Sequence, residues 1–287
     1  MPTLKEYPDI TSPSPSAEIK LLVFDLDGTI VGASNTISES VKQTIKAVKA
    51  KGIRVAIATG RMYRSALRFH QAIESDLPLM CYQGAWIQDP VTEKIIRHFS
   101  VPKQIVMELL DYLEQPELRE TLSVHFYIND ELYVRDINQD TKHYISRSKI
   151  PVTAVGDLRK LLTQEPTKVL ALCDNPQVIT DLLMDLSSRY TPEQVYMTKS
   201  VPTFFEATNP LANKGEAVRY LAEEILDLKA HNVMTIGDNF NDWEMLTYAG
   251  IGVAMGDAPD EVKEIANWVA PGVEEDGAVS AMEKFLL

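Results

Sequence analysis

"LLVFDLDGTIVG", residues 21–32, is the stretch on which the fold turns. An apolar run from Leu21 to Phe24 ends in two acids one residue apart, Asp25 and Asp27, followed by Gly28 and Thr29. A run apolar at every position fits a strand covered on both faces, and such strands belong to parallel sheets. Side chains alternate along a strand, so Asp25 and Asp27 project to the same side at its C-terminal end. Gly28 lets the chain turn sharply there, because positive φ costs it nothing. That end of a strand is where open parallel sheets bind ligands.

Outward from this stretch the same pattern recurs. "IRVAIATG" (53–60) reads as a second buried strand, "LPLMCYQ" (77–83) as a third, and "HNVMTIGD" (231–238) and "GIGVAMG" (250–256) as two more. Helical patterns lie between them. "SESVKQTIKAVKAKG" (38–52) places Val41, Ile45 and Val48 on one face, with Ser38 to cap its start and Gly52 to end it. A helix is expected from Tyr63 to Ile73, and another over 213–228 with Ala217, Tyr220, Leu221 and Ile225 on one face. Two more are expected over 241–250 and 258–268, the second opened by a proline in its first turn. Strands alternating with helices across short loops predict βαβ units, hence an α/β fold with a Rossmann-like parallel-sheet core.

The middle of the chain differs. "LSVHFYINDELYVRD" (122–136) is two strand-like runs joined at Asn129-Asp130, a good tight-turn pair. Helix-then-strand blocks come next, around 157–173 and 175–198. The expected organisation is a flexible tail over 1–18, a core from 19–85 and 206–287, and an inserted α+β domain over 86–205. The tail is rich in proline and serine and lacks the basic start and apolar stretch of a secretory signal.

Composition narrows the classes of function. The formal net charge of −13 would repel a phosphate backbone, which argues against nucleic acid as a partner. No apolar run approaches the ~18–20 residues of a membrane helix. Cys81 and Cys173 are far apart and sit in apolar runs, the pattern of buried reduced thiols rather than of a disulfide framework, and the expected location is cytoplasmic. The five histidines (His70, His98, His125, His143, His231) lack ligand spacing and receive no chemistry here.

If the strands ending at Asp25, Ala58 and Gly237 are parallel neighbours, their ends gather Asp25, Asp27, Thr59, Asp238, Asn241 and Asp242, with Lys214 entering from a helix start. Four carboxylates in one place need a cation, and hard oxygen donors without His or Cys suit Mg2+. One aspartate kept ionised by the metal is a nucleophile for phosphorus. The other, with a like charge beside it, can protonate the leaving oxygen and later deprotonate water. Thr59, Lys214 and Asn241 would hold the phosphoryl oxygens. Arg61 reads equally as a substrate contact or an exposed helix-start residue.

These residues carry a family resemblance. "DLDGT" (25–29), "ATGR" (58–61), "NKG" (213–215) and "GDNFND" (237–242), in that order, resemble the four motifs of the haloacid dehalogenase superfamily of phosphatases. The long insertion between the second and third motifs resembles the Cof-type branch with a type-IIB cap. The resemblance implies Asp25 as nucleophile, through an aspartyl-phosphate, and Asp27 as acid and base. It implies a metal held by the Asp25 and Asp238 side chains and the Asp27 backbone carbonyl, with Asp242 chiefly supporting those ligands. It assigns phosphate binding to the Leu26 amide, Thr59, Gly60, Lys214 and Asn241. Two departures stand out: Gln83-Gly84-Ala85 replaces the family's frequent Asn-Gly-Ala, and Leu211-Ala212 stands where a glycine often precedes the lysine.

The expected activity is hydrolysis of a small phosphomonoester by a monomer or small homo-oligomer, with substrate choice made by the 86–205 stretch. Sugar phosphates, phosphorylated sugar alcohols and flavin or pyridoxal phosphates all suit it. A sugar phosphomutase shares the fold but needs a bisphosphate to prime it. A signalling receiver also uses a phospho-Asp, a Thr, a Lys and Mg2+, though not in an Asp-x-Asp on the first strand. A catalytically silent phosphate-binding protein would be expected to lose motif residues, and here all are present.

Overall fold

In a computed structural model the described residues are 18–287, so the tail expected over 1–18 falls, but for Glu18, outside them. The chain runs β1 (Leu21–Phe24), α1 (Glu39–Ala50), β2 (Arg54–Ile57), α2 (Tyr63–Ala72), β3 (Leu79–Cys81), β4 (Trp86–Gln88) and β5 (Ile95–His98). It continues through α3 (Lys103–Leu113), α4 (Pro116–Arg119), β6 (Ser123–Ile128), β7 (Glu131–Val134), α5 (Gln139–Ser148), β8 (Val152–Ala154), β9 (Lys168–Leu172), α6 (Pro176–Arg189), β10 (Tyr196–Thr198) and β11 (Phe204–Thr208). It closes with α7 (Lys214–Tyr220), β12 (Val233–Gly237), α8 (Trp243–Tyr248), β13 (Ile251–Ala254), α9 (Asp260–Ile265), β14 (Trp268–Val269) and α10 (Gly277–Phe285). No described helix is long and apolar enough to cross a membrane.

β1 lies at the heart of a parallel sheet ordered β14-β13-β12-β1-β2. Every residue of β1 and β12 is buried; β1 is wholly apolar, and the one polar side chain of β12, Thr235, donates its hydroxyl to the Met245 carbonyl at 3.0 Å. Leu22 and Phe24 pack with Val41, Ile45 and Val48 of α1 on one face. Leu21 and Val23 pack with Ala217, Val218 and Leu221 on the other. The Ser38 hydroxyl accepts a hydrogen bond from the Val41 amide and Gly52, at φ +83°, ends α1, matching the expectation from sequence.

β3 meets the core by a single parallel bridge, Ala58 to Met80, and otherwise pairs antiparallel with β4. Tyr82, Gln83 and Gly84 all have positive φ (53°, 58° and 93°), and this tight turn sends the chain back along itself. The antiparallel sheet β3-β4-β5 therefore runs across positions 85 and 86, and Ile87 packs with Leu21 and Val23.

The stretch between carries a six-stranded sheet, β10-β11-β9-β6-β7-β8. Asn129 and Asp130 turn its central hairpin with φ of 53° and 58°, the conformation such a two-residue turn demands. Alternation divides the strands. Phe126, Val169, Ala171, Phe205 and Ala207 pack with Val106, Leu109, Ile179 and Leu186 of α3 and α6. Tyr127, Leu170, Leu172 and Phe204 face the other way and join the core's own cluster.

Helix α7 corrects one detail of the sequence reading. After Tyr220 the backbone widens into a π turn over Leu221–Ile225, with the Leu226 amide bonded to the Leu221 carbonyl. The wider turn shifts the helical register, so Leu221 and Ala222 are buried while Ile225 is exposed. The helix expected after 157 is a short 3-10 turn, Leu158–Leu161.

Candidate active site

Parallel pairing sets the ends of β1, β2 and β12 side by side, and the residues just past them converge. One carboxylate oxygen each from Asp25, Asp238 and Asp242 lies within 4.8 Å of the others. Lys214, the first residue of α7, is fully buried, and its ammonium donates to Asp25 Oδ1 at 2.5 Å and Asp242 Oδ1 at 2.6 Å. Asp242 Oδ2 accepts from the amides of Asp238 and Asn239 at 2.9 and 3.1 Å, so both its oxygens organise neighbouring groups. Thr29 donates its hydroxyl to Asp238. Gly28, at φ +84°, sits where any side chain would be strained, and a Cβ there would lie 2.2 Å from Asp238 Oδ2 and displace that carboxylate.

The electrostatics are those of a cluster short of positive charge. Burial, with Asp242 and Asp27 adding to it against Lys214, pushes the Asp25 carboxyl up to about 7. Burial, then Asp25 and Asp242, drive Asp238 well above the usual carboxylate range. Burial disfavours the Lys214 ammonium, but Asp242 and Asp25 outweigh it and keep its pKa above the ordinary lysine value. One ammonium cannot balance three carboxylates, two of them buried and the third, Asp238, half-buried. An all-oxygen donor set with an unmet demand for positive charge fits a hard divalent cation.

Asp27 stands apart from that group. Its two carboxylate oxygens accept from Arg61 Nε at 2.7 Å and Nη2 at 2.5 Å. Arg61 Nη2 also donates to Asn35, and the guanidinium lies 4.8 Å from the Phe69 ring centroid. Arg61 is thus a largely buried partner of Asp27, not the exposed helix-start residue that was one of the two sequence readings. Thr59 is buried and accepts from the Arg61 amide, while Met62 occupies the cap position of α2. Leu26 is buried, and its carbonyl accepts from the Ile30 and Val31 amides.

Asn241 is buried and donates to Gln83 Oε1 at 3.1 Å. Gln83 Nε2 in turn donates to Glu206 Oε2 at 3.2 Å. Glu206 pairs with Lys168 at 3.1 Å, and Lys168 also donates to the Gly60 carbonyl at 2.9 Å. Sequence reasoning misses Glu206 and Lys168. Their one signal is a lone charge in each of two apolar strands, "KVLAL" and "FFEAT".

Above these residues is a cavity of about 410 Å³. Asp25, Asp27, Thr59, Gly60, Arg61 and Asn241 form its core side, and Leu170, Leu172 and Phe204 belong to its opposite wall. Asp140, His143, Tyr144 and Arg147 of α5 complete that wall at helical spacings of three and four. His143, unassigned from sequence, therefore faces the site.

Known proteins share this architecture. Residues 22–282 match the haloacid dehalogenase-like hydrolase family. The 5-amino-6-(5-phospho-D-ribitylamino)uracil phosphatase YitU of Bacillus subtilis (strain 168) is 31% identical over 274 residues, covering 92% of this chain and 97% of YitU. The subclass IIB sugar phosphatase BT4131 superposes with a TM-score of 0.77 at 25% identity, covering 93% of this chain and 98% of its own. TM0651 from Thermotoga maritima gives a TM-score of 0.76 at 29% identity, covering 93% and 97%. With carboxylates, lysine and threonine gathered at the ends of parallel strands and a family match over nearly the whole chain, this protein belongs to the haloacid dehalogenase-like hydrolases, as a phosphatase of their Cof-type branch.

Proposed function

We propose that this phosphatase hydrolyses a small phosphorylated metabolite in a Mg2+-dependent reaction through a phosphoryl group carried on Asp25. The observation that carries the reading is the Asp25 carboxylate on the floor of the cavity, hydrogen-bonded to the buried Lys214, with Asp27 two residues on at the same strand end. Asp25 attacks phosphorus as the ester P–O bond breaks, and Asp27 gives its proton to the departing oxygen. Asp27 then takes a proton from the water that attacks the aspartyl-phosphate, releasing orthophosphate and restoring Asp25. The Leu26 amide, the Thr59 hydroxyl, Gly60, Lys214 and Asn241 hold the phosphoryl oxygens. Asp25, Asp238 and the Asp27 carbonyl would hold the cation, with Asp242 fixing the loop behind them. The cation supplies the positive charge that lets an anionic ester approach an anionic nucleophile.

Phosphatases among the relatives favour transfer to water over transfer to a second sugar. The 86–205 insertion, acting as a cap, selects the leaving group: the wall formed by α5, Leu170, Leu172 and Phe204 faces the part of the substrate that is not phosphate. A sugar phosphate, a phosphorylated sugar alcohol or a phosphorylated cofactor fits this reading. Two buried free cysteines suit the reducing cytosol. The test is a panel of phosphomonoesters with Mg2+, read by orthophosphate release from wild type and Asp25→Asn. Release that survives Asp25→Asn overturns the nucleophile assignment.

A further inference from the structure

The segment between Gly60 and Arg64 joins the proposed phosphate loop to α2, and the inserted unit grips it at both ends. At one end, Lys168 of β9 donates its ammonium to the Gly60 carbonyl at 2.9 Å. At the other, Asp130, from the turn between β6 and β7, accepts from the Tyr63 and Arg64 amides, each at 2.9 Å and each on a different carboxylate oxygen. Those amides open α2, whose cap residue Met62 offers no side-chain hydrogen bond. The start of a core helix is therefore capped by a residue some 66 positions away in sequence. A cation grips a carbonyl and an anion grips two amides, each the favourable pairing.

Both grips are buried and supported. Asp130 is 5% exposed and Lys168 3% exposed. The Tyr82 hydroxyl donates to Asp130 at 2.7 Å, and Lys168 is held by Glu206. From the core side, the Tyr82 and Gln83 amides donate to the Arg61 and Thr59 carbonyls.

We propose that Asp130 and Lys168 are positioning residues for the Thr59–Arg61 loop, so that seating the inserted unit and assembling the phosphate site are one event. This rests on the reading of Thr59 and Gly60 as phosphate-holding groups. It goes beyond leaving-group selection, because it makes the insertion necessary for every substrate, including orthophosphate, which has no leaving group to recognise.

The test uses the full chain and the variant Asp130→Asn, which keeps the shape but turns an amide NH2 toward one of the two N–H donors. Hydrogen exchange should speed up about tenfold or more at Tyr63 and Arg64, the scale of a lost charge-assisted hydrogen bond, and stay unchanged at Phe69–Ala72. Product inhibition by orthophosphate should weaken by a similar factor, and kcat/KM should fall by that factor alike for small and large esters. Tyr82→Phe, which removes one support of Asp130, should move the same readouts less far and serves if Asp130→Asn does not fold. Unchanged exchange at Tyr63 and Arg64 overturns the proposal, as does unchanged orthophosphate inhibition with only the ranking of substrates altered. Thr59→Val separates the two readings: if it leaves orthophosphate inhibition intact, the phosphate assignment fails, while the exchange data still report on the grip.

Discussion

Asp27 and Arg61 form a two-pronged ion pair, both carboxylate oxygens bonded to one guanidinium within 2.7 Å. If Asp27 is the acid of the proposed mechanism it cannot deliver a proton while locked in that pair, so the expected outcome is that the pair loosens when an ester binds. Asp27→Asn should lower turnover of alkyl phosphates about 10²–10⁴-fold, the usual worth of general acid–base help, and p-nitrophenyl phosphate less. Arg61→Met should cost less than Asp27→Asn. Because Arg61 acts through Asp27, the double variant should be little worse than Asp27→Asn alone, as steady-state kinetics of the four proteins will show.

Among the described residues Lys214 is the one ammonium bonded to the Asp25 and Asp242 carboxylates, and it is fully buried. Lys214→Met strands those carboxylates in the interior, and the expected loss is about 3–5 kcal/mol in urea unfolding with EDTA present. Wild type should gain about 2.7 kcal/mol with Mg2+ at ~100 times its Kd, and chelation should abolish its turnover. Turnover that persists after exhaustive chelation would remove the cation from the mechanism.

Buried parallel strands are legible in the sequence because their side chains are nearly all apolar: β1 and β12 have no exposed residue to blur the pattern, and the buried Thr235 satisfies its hydroxyl on the Met245 carbonyl. The hairpin turn is legible because Asn129-Asp130 can take two positive φ values. The docking of Asp130 onto α2 is not, since its partners are amides and leave no trace in side-chain type. The pairing of Arg61 with Asp27 spans 34 positions and carries no periodicity. Helix α5 is hidden because it buries only Thr141 and Ser148, so no apolar stripe announces it.

His125 is a buried neutral base in the inserted sheet, bonded through Nε2 to Thr141 at 3.0 Å, with Nδ1 unpartnered. Burial, with Lys168 adding to it, lowers its pKa from 6.5 to about 3. Between those values the unfolded chain holds a proton that the folded chain refuses, so stability rises with pH across the window and is lost as pH falls. At pH 5 the cost is roughly 2 kcal/mol relative to neutral pH. Denaturation at pH 5 and 7.5 should show that His125→Gln loses less on acidification than wild type. His70 and His98, whose pKa values are also lowered by burial, keep part of the slope in both proteins.

Asp140, His143, Tyr144 and Arg147 share the cavity-facing side of α5, across from Asp25 and Thr59. On the proposed mechanism the phosphoryl group, common to all substrates, is held at the core side, which leaves α5 to distinguish one leaving group from another. Tyr144 also bonds to Tyr127, which ties its ring to the sheet, whereas Arg147 sits in the last turn of the helix. Arg147→Ala should therefore reorder kcat/KM across a panel of esters, with losses greatest for leaving groups that carry an acceptor or an anion. Thr59→Val should instead depress every ester by one common factor, since it touches only the shared group. The measurement is kcat/KM for a sugar phosphate, a phosphorylated sugar alcohol, pyridoxal phosphate and p-nitrophenyl phosphate with each variant. If Arg147→Ala scales all four equally, selection is made elsewhere around the cavity, with Arg61 and Phe204 the next residues to vary.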